Sequence, residues 1–305
     1  SLTFTEKQDV SAIAESGKGA LSFWLYIPDQ TVLTQYQSRN ASHRFNFDIS
    51  SNATYSDDYK WTFTMLGTDF ASARIGWQRI IMPFSAVGAG DKSNMDWSNV
   101  QSARLNTTGF GLSGGYTGRV AEISFTTTNL SKNTITGDPV TEFGVGNVTA
   151  VVGNAASVTE IENTDLGESL GGYGRPNEGG FVSVLNLDKA YSVNTVADSA
   201  FSVWVYFQKE SDLKALNAYN IDVSSGESYS DSHKYSFNIK NLFPKCSVGW
   251  NQLIIPLESA NEKNNMDWTD VRNIRLNVDG GTACYVLTAR YAIIHSGVAE
   301  PTVVG

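Results

Sequence analysis

This 305-residue chain has little of what many functional classes require: two cysteines, three histidines and 22 basic residues against 31 acidic ones, for a net charge of -9. Nucleic acid and anionic lipid both reward a basic surface, so neither is an expected partner. The longest apolar runs, such as residues 21–27 and 201–207, are strand-sized. A membrane helix needs roughly 20 apolar residues, so no membrane insertion is expected. Nowhere does an apolar i, i+3, i+4, i+7 pattern persist beyond a turn or two, which argues against a helical architecture. The histidines, His43, His233 and His295, are scattered, and no HExxH, GxSxG, phosphate loop or cysteine–histidine metal spacing occurs. No signal peptide stands at Ser1, so the chain is expected to be a mature form or an excised piece.

What the chain does contain is a repeat. Gly76-Trp77-Gln78-Arg79-Ile80-Ile81-Met82-Pro83, then Met95-Asp96-Trp97, then Arg104-Leu105-Asn106 returns as Gly249-Trp250-Asn251-Gln252-Leu253-Ile254-Ile255-Pro256, Met266-Asp267-Trp268 and Arg275-Leu276-Asn277. Upstream, Ser22-Phe23-Trp24-Leu25-Tyr26 matches Ser202-Val203-Trp204-Val205-Tyr206. The hairpin Phe45 to Ser51 with Tyr55-Ser56-Asp57 and Lys60-Trp61-Thr62-Phe63 matches Tyr219 to Ser225 with Tyr229-Ser230-Asp231 and Lys234-Tyr235-Ser236-Phe237. Short alternating strands punctuated by glycine, serine and asparagine predict an all-β chain of two tandem β-sandwich, jelly-roll domains. The expected boundaries are 1–128 for the first module, 129–153 for a polar linker and 154–305 for the second. Residues 29–44 read as a variable loop, and residues 157–180 as a lead-in without a counterpart in the first copy. The first module is expected to lack that edge strand or to borrow one from the linker.

Residues two apart in a strand point to the same side. Phe23, Leu25 and Ile27, Phe45, Phe47 and Ile49, and Trp61 and Phe63 therefore mark a core. The opposite parity collects Trp24, Tyr26, Lys60, Arg104 and Asn106 with Asn46 and Asp48, and in the second copy Trp204, Tyr206, Lys234, Arg275 and Asn277. Aromatic planes suit the C–H face of a sugar ring and polar groups suit its hydroxyls, so this surface is a candidate glycan cleft. The same residues would equally build a covered structural network, with Asp48, Lys60 and Arg104 as ion pairs. Tyr36, Phe110, Tyr116 and Tyr173, expected in loops and three of them near glycines, are further stacking candidates. Trp77, Trp97, Trp250 and Trp268 read as framework between the sheets. Asp48 and Asp57 are the carboxylates to suspect in catalysis, but beside serine and asparagine they read as turn caps, and no enzyme is expected.

Both cysteines lie in the second copy, Cys246 where the first has Ala73 and Cys284 where it has Ser113. Gain as a pair fits a disulfide and an oxidising, extracellular setting; two separate buried thiols remain the alternative. Glu160, Glu162 and Asp165 are the candidates for a structural calcium, and no other cofactor is expected. Asn-x-Ser/Thr triplets begin at Asn40, Asn52, Asn106, Asn129 and Asn147.

The order of the Ser-x-Trp-x-Tyr strand, the Asp-x-Ser-Ser hairpin, Gly-Trp-x-x-[Ile/Leu]-Ile-x-Pro, Asp-Trp-x-x-Val and Arg-Leu-Asn resembles the galactose-binding-like, jelly-roll carbohydrate-binding modules of gut-bacterial secreted and surface proteins. In tandem on an acidic chain it is similar in outline to starch-adherence proteins. That resemblance implies non-catalytic binding of a polysaccharide, starch or another α-glucan, by a monomeric part of a larger surface protein or complex outside the cell. Avidity from two modules fits a polymer ligand. A plant cell-wall glycan or mucin as ligand, and an adhesive or structural spacer without a glycan site, stay open.

Overall fold

A computed structural model describes residues 2–106, 119–153, 158–164, 167–174, 181–194, 196–280 and 284–305, of which 137–140, 145, 149–153, 158–164, 167–174, 181, 280, 284 and 285 are described by backbone alone. The chain divides into two compact units, Ser1–Asp138 and Pro139–Gly305.

The first unit contains β1 (Leu2–Gln8), α1 (Ser11–Glu15), β2 (Gly19–Ile27), α2 (Gln30–Gln37), β3 (Phe45–Ser50), β4 (Lys60–Met65), β5 (Gly76–Pro83), β6 (Val100–Asn106), β7 (Arg119–Thr127) and the start of β8 (Thr134–Glu142). One sheet has the order β1-β6-β3-β4 and the other β8-β5-β2-β7. Their inner faces meet through the residues the alternation marks: Phe23, Leu25, Ile27, Phe45, Phe47, Ile49 and Phe63 are buried together. Phe23 and Phe47 stack across the sandwich with centroids 4.6 Å apart. Each such buried phenylalanine contributes roughly 2–3 kcal/mol from apolar area removed from water.

The second unit contains β9 (Val145–Gly153), β10 (Val158–Thr164), β11 (Gly167–Gly174), β12 (Phe181–Tyr191), β13 (Ser199–Phe207), β14 (Leu216–Ser225), β15 (Lys234–Asn238), β16 (Gly249–Pro256), β17 (Glu262–Lys263), β18 (Val271–Gly280), β19 (Cys284–Ser296) and β20 (Thr302–Val304). One sheet runs β17-β15-β14-β18-β12-β9; the other runs β20-β16-β13-β19, with β11 and then β10 beyond β19. Phe201, Val203, Val205, Ile221, Val223 and Phe237 fill its core. Each unit is thus a β-sandwich of jelly-roll type, and the chain is all-β as expected.

Two backbone devices recur in both units. Gly76 (φ 106°) and Gly249 (φ 99°) open β5 and β16 in a left-handed conformation that side chains resist, directly before Trp77 and Trp250. In β7 the register against β2 shifts between Ser22 and Trp24, and in β19 it shifts at the same place against β13, between Ser202 and Trp204. The extra residue at each bulge, Glu122 (φ 49°) or Arg290 (φ 48°), is a non-glycine in the left-handed region.

Two sequence expectations change. The stretch read as a linker is strand: β8 pairs β5 with Ile80 opposite Ile135, as β20 pairs β16 with Leu253 opposite Val303, and so completes the first sandwich. Threonine and valine with few charges favour strand as readily as linker, and an available sheet edge decided between them. The supposed loop at 29–44 carries α2, capped by the Asp29 side chain accepting from the Val32 N–H at 2.9 Å. The lead-in of the second unit carries β10 and β11, and β1 is the counterpart of the strand that follows them, β12: Leu2 opposes Ala103 as Leu185 opposes Ile274.

Candidate functional site

Trp24 and Tyr26 emerge on the outer face of the β5-β2-β7 sheet because Phe23, Leu25 and Ile27 take the core side of β2. The register places Tyr26 opposite Trp77 and Trp24 opposite Arg79. The Tyr26 and Trp77 rings lie 5.3 Å apart at 53°. In the second unit Tyr206 opposes Trp250 and Trp204 opposes Gln252, with the Tyr206 and Trp250 rings 5.3 Å apart at 54°. All six aromatics are partly exposed.

Local hydrogen bonds hold this platform. The buried Gln78 accepts from the Arg74 N–H at 3.0 Å, and its counterpart Asn251 accepts from the Ser247 N–H at 2.8 Å, clamping the turn that presents each tryptophan. Arg79 donates from Nε to Ser22 Oγ at 3.0 Å, and Gln252 from Nε2 to Ser202 Oγ at 2.9 Å. Burial brings Arg79 down to about 10, still charged at neutral pH. The Arg119 guanidinium sits 5.7 Å from the Tyr26 ring. Aromatic planes beside fixed N–H donors can receive the C–H face of a sugar and its neighbouring hydroxyls.

The polar residues expected on the same surface lie elsewhere. β3, β4 and β6 form the opposite sheet, so Asp48, Lys60, Arg104 and Asn106 occupy the outer face on the far side of the sandwich from Trp24 and Tyr26. The combined aromatic and polar cleft is therefore not formed. Parity along a strand fixes which way a side chain points but not which sheet the strand joins.

On that far face Arg104 donates to Asp48 Oδ2 from Nε at 2.8 Å and from the guanidinium NH2 group at 2.7 Å. The Tyr55 hydroxyl donates to Asp48 Oδ2 at 3.0 Å, and the Arg104 guanidinium stacks 4.0 Å over the Tyr55 ring. Lys60 pairs with Asp57 at 2.7 Å. Lys60 holds the Asp57 carboxyl below the usual range, while burial and then Asp48 push the Tyr55 phenol upward.

The second unit repeats the set with Arg275, Asp222 and Tyr229, and Lys234 there binds Asp231 at 3.0 Å and Glu262 at 2.9 Å. These are the ion-pair networks that the sequence left open as an alternative. Lys234, expected to touch ligand, is buried and already engaged. Asp48 and Asp222 are buried as well, each held by arginine and tyrosine rather than presented as acid and base.

Tyr36 is a second correction: it lies on α2, fully buried, stacked on Phe70 at 4.8 Å and edge-on to Phe45 at 5.7 Å. A glutamine- and serine-rich segment hid a three-residue apolar stripe, Val32, Leu33 and Tyr36. Asn106 and Asn277 lie opposite Asn46 and Asn220 on the far faces. Trp97 packs on Phe84 and Trp61 as framework. Trp77 and Trp250, read as framework too, instead join the outer platforms. The parity of Ile80 and Met82, which point inward, was the signal for Trp77. Phe110, Tyr116 and Asp165 lie outside the described residues, as do the side chains of Tyr173, Glu160, Glu162 and Cys284; Cys246 is buried, its Sγ 3.5 Å from the Leu242 carbonyl. Among the described residues no group of three or more His, Cys, Asp or Glu side chains could hold a metal ion. No helix among them is long and apolar enough to cross a membrane.

No protein-family model and no curated protein matches the chain. Solved structures do. A family 30 carbohydrate-binding module aligns at 12% identity and a TM-score of 0.38, over 54% of this chain and 89% of that one. A family 11 carbohydrate-binding module of a cellulosomal cellulase of Clostridium thermocellum aligns at 12% identity and a TM-score of 0.35, over 52% and 92%. The extra C-terminal domain of an exo-1,3/1,4-beta-glucanase from a Pseudoalteromonas species aligns at 12% identity and a TM-score of 0.31, over 50% and 79%.

Proposed function

We propose that each unit binds polysaccharide without cleaving it, on the outer face that carries Trp24, Tyr26, Trp77 and Arg79 in the first unit and Trp204, Tyr206, Trp250 and Gln252 in the second. The observation that carries this reading is the repetition of a partly exposed tyrosine–tryptophan pair at 5.3 Å in both units, at 53° and 54°. A cross-strand aromatic pair steadies its own sheet, and two wide, partly exposed pairs in one geometry also offer a flat apolar platform on which a ligand can pack. Sugar rings can pack in that way, and partly exposed Arg79 adds a guanidinium beside the first platform. Two such faces on one chain raise avidity for a polymer beyond either alone. The favoured ligand is starch or another α-glucan, with the protein acting at the cell surface or in the extracellular medium.

Affinity electrophoresis of the full chain on starch, mixed-linked β-glucan, xylan and mucin tests the reading. Retardation on starch, lost when Trp77→Ala and Trp250→Ala are combined, is expected, with no reducing sugar released. Migration unchanged on all four gels would sink it. Retardation on another glycan alone would keep the site and replace the ligand.

A further inference from the structure

The two units differ at the entry to the far-face sheet. In the second, β14 starts at Leu216, opposite Gly280, and runs on through Tyr219 as strand. In the first, β3 starts only at Phe45, the counterpart of Tyr219, and a turn precedes it. Asn40 makes that turn: its Oδ1 accepts from the Ser42 N–H at 2.9 Å and from the His43 N–H at 3.2 Å. Beside the turn a pocket of about 270 Å³ opens, lined by Ala41, Ser42, Arg44, Asn46 and Asn106. Leu216 and Ala218 stand in the second unit where Ser42 and Arg44 stand in the first, so the lining is not repeated there.

Four of the five lining residues are polar, and none is acidic. The exposed Arg44 is anchored by its Nε donating to the Ala41 carbonyl at 2.9 Å, and among the described residues its two Nη groups make no hydrogen bond or ion pair. Thr64 Oγ1 donates to Asn46 Oδ1 at 3.0 Å, which orients that amide and leaves its Nδ2 uncommitted among the described residues. A planar guanidinium whose fork is open matches a carboxylate in two parallel hydrogen bonds. Amide and hydroxyl groups beside it match sugar hydroxyls. The nearby acids of this face are already neutralised, Asp48 by Arg104 and Asp57 by Lys60.

We propose that this pocket is a second binding site, which takes the carboxylate of a single acidic sugar carried by an otherwise neutral glycan. Arg44 holds the carboxylate, and Ser42, Asn46 and Asn106 meet the adjoining hydroxyls. A single charge is the ligand because the net charge of -9 repels a polyanion. One sugar residue is the size, since pockets for larger ligands begin at about 300 Å³. A sugar rather than a bare anion is the occupant because one carboxylate satisfies the Arg44 fork and leaves the other donors to be met. The pocket lies on the opposite sheet from the aromatic platform and stands independently of the function proposed for it.

Nuclear magnetic resonance titration of the full chain, read at the Arg44 Nε–H and Asn46 Nδ2 signals, tests the proposal with methyl glucuronide, N-acetylneuraminate, methyl glucoside and acetate. Saturable shifts with at least one of the two acidic sugars are expected, weakened at least about 10-fold by Arg44→Ala, as loss of a hydrogen-bonded charge implies. The same affinity is expected in the Trp77→Ala, Trp250→Ala double variant, so this result and the fate of the platform are read separately. No saturable shift with either acidic sugar, or binding unchanged by Arg44→Ala, would overturn the proposal. Equal binding of methyl glucoside would remove the role of charge, and equal binding of acetate would reduce the site to one for a free carboxylate only; either overturns it without any variant. Binding lost in the double tryptophan variant would overturn it too, by moving the acidic sugar to the platform.

Discussion

The two units hold the same aromatic platform on different polar surroundings. Arg79 in the first stands where Gln252 stands in the second, and the bulge residue beside it changes from Glu122 to Arg290. The ring geometry nevertheless repeats to within a degree, because it is set by backbone register, a left-handed glycine and a buried amide clamp rather than by charged neighbours. The far-face networks differ in the opposite sense. Asp222 has Lys234 at 3.8 Å in addition to Arg275, and Lys234 is itself held by Glu262, whereas among the described residues Lys60 forms its ion pair with Asp57. One face conserves geometry while its chemistry drifts; the other keeps its chemistry and gains a second cation.

The largest expected effect tests that second contrast. Arg104→Met leaves Asp48 buried with no cation on it, a loss of about 3–5 kcal/mol. Arg275→Met leaves Lys234 near Asp222 and should cost clearly less. Denaturant unfolding followed by hydrogen exchange in each unit reads the difference, and equal losses would break the comparison.

Next in size is the platform. Trp77→Ala and Trp250→Ala should each weaken polysaccharide binding about 10-fold, as loss of a stacking aromatic of about 1–3 kcal/mol implies, if both units share one site. Isothermal titration on the single variants would show a one-sided effect if the change from Arg79 to Gln252 has silenced a unit.

Asp212 offers a smaller test. It is fully buried with neither carboxylate oxygen in a well-formed hydrogen bond, five residues beyond Phe207, where the first unit has Val32 five beyond Ile27. Burial raises its pKa, so the folded state holds the proton more tightly than the unfolded chain. Stability is therefore lost as pH climbs from the usual carboxylate range through the raised value. Asp212→Val should stabilise the second unit by about 1 kcal/mol at pH 7, an advantage that shrinks toward pH 4. A melting temperature unchanged at both pH values would contradict this.

Smallest are the exposed carboxylates. Lys60 lowers the Asp57 pKa and Lys234 lowers that of Asp231, so their contributions are present above the usual carboxylate range and disappear as pH falls through the depressed values. Both are largely exposed, so Asp57→Asn and Asp231→Asn should each cost little at neutral pH, and that cost should shrink as the solution is acidified. Thermal melts across that range check the sign.

Much of the fold was legible. The core residues Phe23, Leu25, Phe45, Phe47 and Phe63 follow from alternation, and the unit repeat from the Gly-Trp and Arg-Leu-Asn stretches. Tyr36 was not legible, because a short helix with three apolar residues resembles a polar loop in composition. Strand β8 was not either, since its pairing with β5 joins Ile80 to Ile135, far apart in the chain.

By itself the sequence determined which side of each strand faces the core and that the unit occurs twice, because period-two alternation and repetition are local properties. Only the tertiary structure decided that Trp24 and Arg104 stand on opposite outer faces and that Asp48 and Lys234 are covered. Sheet membership depends on pairings between strands as distant as Asp48 and Arg104, and no local pattern encodes which partner a strand will find.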